Sequence, residues 1–157
     1  MNDIVLRAFQ SVGVPAIREP SGLSRTDAKR PDRATLIPWS RGRCLLWDTT
    51  TPDTLAPSHV QGSANQAGTA ALTAEVAKRH KYAPLLAAHD FVPVAIETLG
   101  VWGPQGADLV SSLGKRIANV TGELRSGAFL KQRLSLAVQR GNAIAVMGTL
   151  LPQQDLG

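Results

Sequence analysis

The chain has 157 residues and a formal net charge of +5 at neutral pH, with 43% hydrophobic and 18% charged residues. This length and composition predict one folded domain with a real core and exclude wholesale disorder. A single cysteine excludes an internal disulfide framework and a cysteine-rich zinc site, and the three histidines lack the HExxH spacing. The sequence pI of about 10.0 favours a polyanionic partner. Since no secretory signal or membrane-spanning stretch is visible, we expect an intracellular protein, or a piece of one, with no membrane partner.

The first third of the chain predicts a helix, a short extended segment and two antiparallel strands, over residues 3–12, 14–19, 35–39 and 43–49. Gly13 ends the helix, and the polar stretch before the strands is expected to form a loop. Gly42 lies between the two strands and can adopt the positive φ that a tight turn needs. The two strands are therefore expected to form a hairpin.

The rest of the chain predicts a turn-rich connection over residues 50–68, a helix over 69–82, a strand over 92–98, and helices over 107–120 and 127–147. Pro84 disfavours helical geometry at Ala83, so the first of these helices ends or kinks there. Ser126 is expected to cap the last helix. The order helix, strands, helix, strand, helix, helix predicts an α/β domain.

Asp32 and Asp48 are the first candidate site residues. A hairpin centred near Arg41 places Asp32 opposite Thr50 and diagonal to Asp48, on the same face of the sheet. Diagonal neighbours are roughly 7–8 Å apart, and magnesium needs only one or two carboxylates because it keeps several waters. The pair therefore predicts a Mg²⁺ site, which a register shift of one residue would abolish by placing the acids on opposite faces.

The helix after the long connection contributes a lysine and a tyrosine. At about 100° per residue, the apolar positions Leu72 and Val76 mark the helix face that we expect to pack on the sheet. Lys78 and Tyr82 lie four residues apart at the border of that face, whereas Lys81 points away from it. Of the two lysines, Lys78 is therefore the better candidate for a site.

Two carboxylates, a lysine and a basic chain are a coherent set for phosphodiester hydrolysis. A metal held by carboxylates activates water and neutralises charge on the phosphorus oxygens, while a lysine adds positive charge or orients the water. Ordinary structural roles compete with this interpretation. A Pro-Asp pair commonly begins a turn, a buried acid such as Asp48 needs only a partner or solvent, and a helix lysine is usually solvated.

The two C-terminal helices carry basic residues that suit contact with DNA phosphates. The candidates for DNA binding are Lys115, Arg116, Arg133 and Arg140. A merely solvated helix face explains these residues equally well.

At the candidate site the sequence resembles a known family. A Pro-Asp pair ending at Asp32, an apolar strand ending in Asp48, and Lys78-x-x-x-Tyr82 look like the PD-(D/E)XK nuclease superfamily. More specifically, they resemble the restriction-like endonuclease domain of non-LTR retrotransposon reverse-transcriptase-like polypeptides. Thr50 stands where the superfamily commonly has its lysine, whereas the retrotransposon branch takes its lysine from the following helix, with a tyrosine one turn on.

The resemblance implies an α/β fold with a restriction-endonuclease-like core of helix, β-hairpin sheet, helix and strand over residues 1–122. Residues 123–157 would form a helical C-terminal extension packed on that core. The stretch 125–149 resembles the tail of reverse-transcriptase-like polypeptides, which implies that the rest of such a polypeptide is a further partner beside DNA.

The resemblance also implies an activity, that of a Mg²⁺-dependent DNA endonuclease which nicks target DNA for retrotransposon insertion in the nucleus. Asp32 and Asp48 would hold the metal, and Lys78 would support the attacking water or the phosphate. Tyr82 would position Lys78 or the substrate. The alternative is a catalytically inactive module of the same origin that binds DNA or packs against another part of the polypeptide.

Overall fold

A computed structural model describes residues 1–18 and 31–150 of the chain. Its elements are α1 (Asn2–Ser11), β1 (Ala16–Arg18), β2 (Arg33–Thr35), β3 (Leu45–Thr50), α2 (Val60–Asn65), α3 (Thr69–Lys81), a 3-10 turn (Ala83–Leu85), β4 (Asp90–Ala95), α4 (Pro104–Thr121) and α5 (Ser126–Leu150). None of the helices in these two ranges combines the length and the apolar character that a bilayer crossing requires.

The four strands form one mixed sheet in the order β1-β2-β3-β4. The pairs β1–β2 and β2–β3 are antiparallel, whereas β3 and β4 are parallel and are joined by a crossover that contains α2 and α3. A parallel pair needs such a long connection because the chain must return to the starting edge. The predicted α/β class is therefore confirmed.

The predicted hairpin is wrong in its details. The strand expected over residues 35–39 instead ends at Thr35, and the turn at Arg41 and Gly42, with φ of 51° and 69°, closes only an isolated bridge. Pro38 interrupts the apolar run that suggested a longer strand. In the observed register Arg33 pairs with Trp47, two residues away from the expected alignment. Because side chains alternate with a period of two, this shift leaves every side chain on its expected face.

The sheet separates two hydrophobic clusters. Helices α1, α4 and α5 cover one face, where the buried strand residues are Leu45, Trp47, Val94 and Ile96. The C-terminal end of α3 and the 3-10 turn cover the other face, where the buried residues are Ala34, Leu46, Tyr82, Leu85 and Phe91. Asp48 belongs to this second face because it alternates with Trp47 along β3.

Helix α5 joins the main cluster through Leu130, Leu134 and Val138, all of which are buried. It crosses α4 where Gly114 meets Gly127, and a Cβ added to Gly114 would lie only 2.3 Å from the Gly127 Cα. The two backbones can approach this closely only because neither position has a side chain. The C-terminal helix is therefore packed on the rest of the fold over its first half.

Strand β4 lies at the end of the sheet and pairs only with β3 among the described strands. Pro93, in the middle of β4, has no N–H group to donate. The carbonyl oxygen of Phe91 accepts a hydrogen bond of 3.1 Å from Arg79 Nη1 on α3. At this edge of the sheet, the Phe91 carbonyl is therefore already engaged by a side chain, and Pro93 offers no N–H group for pairing with a further strand.

Candidate active site

The centre of the candidate site is the carboxylate of Asp48, which is only 2% exposed. Its Oδ1 accepts a hydrogen bond of 2.8 Å from the backbone N–H of Asp32. Its Oδ2 accepts bonds from Lys78 Nζ at 2.9 Å and from the Tyr82 hydroxyl at 3.1 Å. Burying a charge without partners is costly, so these three donors are what keeps an ionised carboxylate inside the fold.

Asp32 immediately precedes β2 and lies directly beside Asp48. The sequence-based register placed it opposite Thr50, and this expectation is wrong because Arg33 pairs with Trp47. Continuing that pairing by one residue brings Asp32 level with Asp48, and the hydrogen bond from its N–H confirms the contact. The two acids are therefore direct rather than diagonal neighbours.

The two carboxyl groups differ in their affinity for a proton. Burial, together with the contact to the Asp48 carboxylate, raises the pKa of Asp32 above its ordinary value. Burial acts in the same direction on Asp48, but its hydrogen bonds with Asp32 and Lys78 outweigh it, so the pKa of Asp48 lies below its ordinary value. The surroundings thus favour the ionised form of Asp48 more than that of Asp32.

Helix α3 presents a different face to the sheet from the one that its apolar residues predict. Leu72 and Val76 are 49% and 61% exposed, whereas Glu75 is fully buried. Glu75 Oε1 accepts a hydrogen bond of 2.9 Å from the backbone N–H of Gln105 at the start of α4. A glutamate that caps another helix therefore replaces an apolar residue at the centre of the buried face.

Lys78 still reaches the site, since it follows Glu75 by three residues and precedes Tyr82 by four on the same side of α3. Its side chain is 28% exposed, and its Nζ donates to Asp48 Oδ2. Lys81 is exposed, and its Nζ lies 5.2 Å from the centre of the Tyr82 ring rather than at the carboxylate.

Tyr82 is buried, and its hydroxyl faces the negative charge of Asp48. Burial and that charge together raise the pKa of the hydroxyl far above its ordinary value. The group therefore remains protonated and acts as a hydrogen-bond donor, which fixes the orientation of the Asp48 carboxylate.

Asn2 is a site residue that sequence reasoning missed. Its Nδ2 donates a hydrogen bond of 2.9 Å to Asp32 Oδ2, and its Oδ1 is buried without a hydrogen-bond partner among the described residues. The sequence offers only a polar residue at the first turn of a helix, which is an ordinary place for asparagine. Two carboxylates and this amide oxygen form the hard oxygen set that magnesium prefers.

No group of three or more histidine, cysteine, aspartate or glutamate side chains within residues 1–18 and 31–150 is arranged to hold a metal. The Asp32–Asp48 pair falls below that number. It still fits magnesium, which commonly takes one or two protein carboxylates and completes its shell with water and phosphate oxygens.

The four residues expected to bind DNA lie away from the acid pair. All four are exposed on α4 and α5, the layer on the opposite face of the sheet from α3. The Arg116 guanidinium stacks on Trp39 at 4.2 Å from its ring centre, and Lys115 lines a groove of about 480 Å³ between α4 and α5. The structure thus brings Asp32, Asp48, Lys78 and Tyr82 together but leaves Lys115, Arg116, Arg133 and Arg140 outside that cluster.

Comparison with known proteins does not assign the chain to a family. No protein-family model matches the chain, and a search of curated proteins finds no match for it.

Proposed function

We propose that this chain is a Mg²⁺-dependent DNA endonuclease domain with a restriction-endonuclease-like core, which nicks target DNA in the nucleus for retrotransposon insertion. The observation that carries the proposal is the convergence of Asp32, Lys78 and Tyr82 on one buried carboxylate, Asp48. The element order of helix, antiparallel strands, helix and parallel strand supports the core assignment. The remainder of a longer reverse-transcriptase polypeptide would be its natural partner.

Each side chain has a defined task in this proposal. Asp32 and Asp48 would hold Mg²⁺, and Asn2 Oδ1, which has no hydrogen-bond partner among the described residues, would offer a third oxygen next to Asp32. A bound Mg²⁺ would supply an activated water and neutralise charge on the phosphate. The Lys78 side chain is partly exposed, so its ammonium can turn from Asp48 to a phosphate oxygen or to the attacking water, while Tyr82 keeps the carboxylate in place.

A second candidate function is a DNA-binding or interaction module that does not cleave. The observation that favours it is the complete satisfaction of Asp48, since both of its oxygens already accept hydrogen bonds from the protein. A buried acid whose hydrogen bonds are all made within the protein can have a purely structural role, in which it helps to specify the fold. In that case the basic helices would make the contacts with DNA, and the site would be structural.

Nicking of supercoiled plasmid separates these functions. Metal-dependent nicking that stops on addition of EDTA supports the endonuclease. DNA binding whose log affinity falls linearly with log salt concentration, without nicking under any divalent metal, supports the binding module. Failure to bind DNA at all would leave only an interaction with another part of the polypeptide.

Added Mg²⁺ should raise the melting temperature, because a ligand that binds only the folded state stabilises it. At ten times its dissociation constant the gain is about 1.4 kcal/mol, or about 3–5 °C for a chain of this size. Asp32→Asn and Asp48→Asn should each lose most of the increment, measured against its own metal-free protein by differential scanning fluorimetry. An equal shift in all three proteins would place the ion elsewhere.

A further inference from the structure

A second charged cavity lies at the opposite end of β3 from the acid pair. It has a volume of about 360 Å³ and is lined by Arg41, Arg43, Arg79, His89 and Asp90, among others. We call this cavity the arginine pocket. It forms where β3 and β4 begin, next to the C-terminal part of α3.

The arginine pocket carries an excess of positive charge. Asp90 Oδ1 lies 3.3 Å from both Arg41 Nη2 and Arg43 Nε, so one carboxylate serves two guanidinium groups. Arg79 donates from Nη1 to the carbonyl of Phe91 and to Gln105 Oε1, and no carboxylate of the described residues forms an ion pair with it. Among the residues named as lining the pocket, three are arginines and one is an acid.

The backbone also holds one of these arginines in place. Arg43 donates from Nη2 to the carbonyl oxygens of Leu86 and His89. A planar guanidinium that is already oriented loses little conformational entropy when it binds an anion, and its forked N–H groups match the oxygens of a phosphate. The pocket is thus prepared for a phosphate group rather than for a neutral ligand.

The position of the pocket relates it to the acid pair. Arg43 precedes Asp48 by five residues along an extended segment, which corresponds to about 17 Å. The two places are therefore close enough for backbone phosphates of one duplex to contact both. Arg79 directly follows Lys78 on α3, and Arg43 lies two residues before β3, so neighbouring stretches of the chain contribute to both places.

We propose that the arginine pocket binds a backbone phosphate of the DNA whose reacting phosphodiester lies at Asp48. The second part of this statement rests on the proposed function, whereas binding of a DNA phosphate at the pocket does not require cleavage.

The test uses the full chain with a 30-base-pair duplex in EDTA, followed by fluorescence anisotropy, so that nicking plays no part. Arg41 is suited to substitution because its side chain is 78% exposed and its ion pair is with Asp90 alone among the described residues. Arg41→Gln should weaken binding about two- to fivefold, the effect of one exposed ion pair. The slope of log affinity against log salt concentration should become shallower by about 1.

Arg125→Gln is the matched control, since it removes the same charge from an exposed residue beyond the far end of α4. Helix α4 has 18 residues and is therefore about 27 Å long, and Gln105, which contacts Arg79, lies at its other end. The control should leave both affinity and salt slope close to those of the parent. Equal losses in the two variants would show a general effect of net charge and would overturn the proposal.

Asp90→Asn should change DNA affinity in the opposite direction from Arg41→Gln. Removing the carboxylate that pairs with Arg41 and Arg43 among the described residues should strengthen DNA binding, while the carbonyl contacts keep Arg43 in place. DNA binding that is unchanged or weaker in a folded Asp90→Asn protein would contradict the inference.

Titration with inorganic phosphate, followed by NMR shifts of the arginine side chains, distinguishes a free phosphate from DNA. Saturation at low millimolar phosphate, combined with unchanged DNA binding in Arg41→Gln, would assign the pocket to a small anion and overturn the assignment to DNA. If the salt slope changes as expected but the parent never nicks, the proposed endonuclease fails while the arginine pocket stands.

Discussion

Lys78→Ala should abolish nicking while the protein remains folded. The substitution removes the positive charge that would stabilise the phosphate or orient the attacking water. By analogy with removal of one oxyanion donor, the activation free energy should rise by about 2.7–4 kcal/mol, which lowers the rate by about 10²–10³. The fold should persist because Asp48 keeps its hydrogen bonds from the Asp32 N–H and the Tyr82 hydroxyl. Conversion of supercoiled to open circular plasmid measures the effect, with circular dichroism as the check on folding.

Lys81→Ala is the control for this experiment, since Lys81 lies on the same helix and carries the same charge but does not contact Asp48. The nicking rate of this variant should stay within a fewfold of the parent rate, and its affinity for DNA should be only slightly weaker at low salt. A dead Lys81→Ala protein beside an active Lys78→Ala protein would show that the catalytic lysine is assigned to the wrong residue.

Substitution of the two aspartates by asparagine should change the free energy of unfolding in opposite directions. Asp32→Asn should stabilise the metal-free protein at neutral pH by about 0.5–2 kcal/mol, as relief of a strained site charge commonly does. An asparagine there can still accept the bond from Asn2 and donate to Asp48. Asp48→Asn should destabilise by about 3 kcal/mol, because it leaves the Lys78 ammonium without its partner. Urea denaturation at constant pH measures both changes.

The dependence on pH follows from the same two pKa shifts. The pKa of Asp32 is raised in the folded state, so its stabilising contribution is complete below the unfolded value of 3.8 and is lost as the pH rises through the folded value. The pKa of Asp48 is lowered, so its contribution is present above 3.8 and is lost as the pH falls through the folded value. The gain from Asp32→Asn should therefore shrink towards pH 4. Changes of the same sign in both variants would contradict this assignment of charge.

The sequence predicts the local elements well where one periodicity dominates. The apolar stripe of α4 predicts a helix over residues 107–120, and the helix spans Pro104–Thr121, since this stripe faces one continuous core. The proximity of Asp32 and Asp48 also follows from the sequence, because an error of two residues in register preserves the face of every side chain. Helix α2, by contrast, lies in a connection rich in proline and glycine, and its short polar sequence carries no helical pattern.

The orientation of α3 could not be predicted because it depends on capping between elements far apart in the chain. Glu75 accepts from the N-terminus of α4, and Glu97 Oε2 accepts a hydrogen bond of 3.2 Å from the Ala71 N–H near the start of α3 itself. Both glutamates are fully buried. The expectation that charged residues lie at the surface is therefore wrong for Glu75 and Glu97. Because Glu75 takes the buried face of α3, Leu72 and Val76 face outwards.

The ends of the sheet determine how this molecule behaves towards other copies at high concentration. A long, regular outer strand presents a row of unpaired amide groups on which a second chain can continue the ladder, a common route to aggregates. Within the described residues β1 has three residues, Ala16–Arg18, while β4 interrupts such a row with Pro93 and engages the Phe91 carbonyl through Arg79. The same side chain that borders the arginine pocket thereby also opposes intermolecular strand pairing.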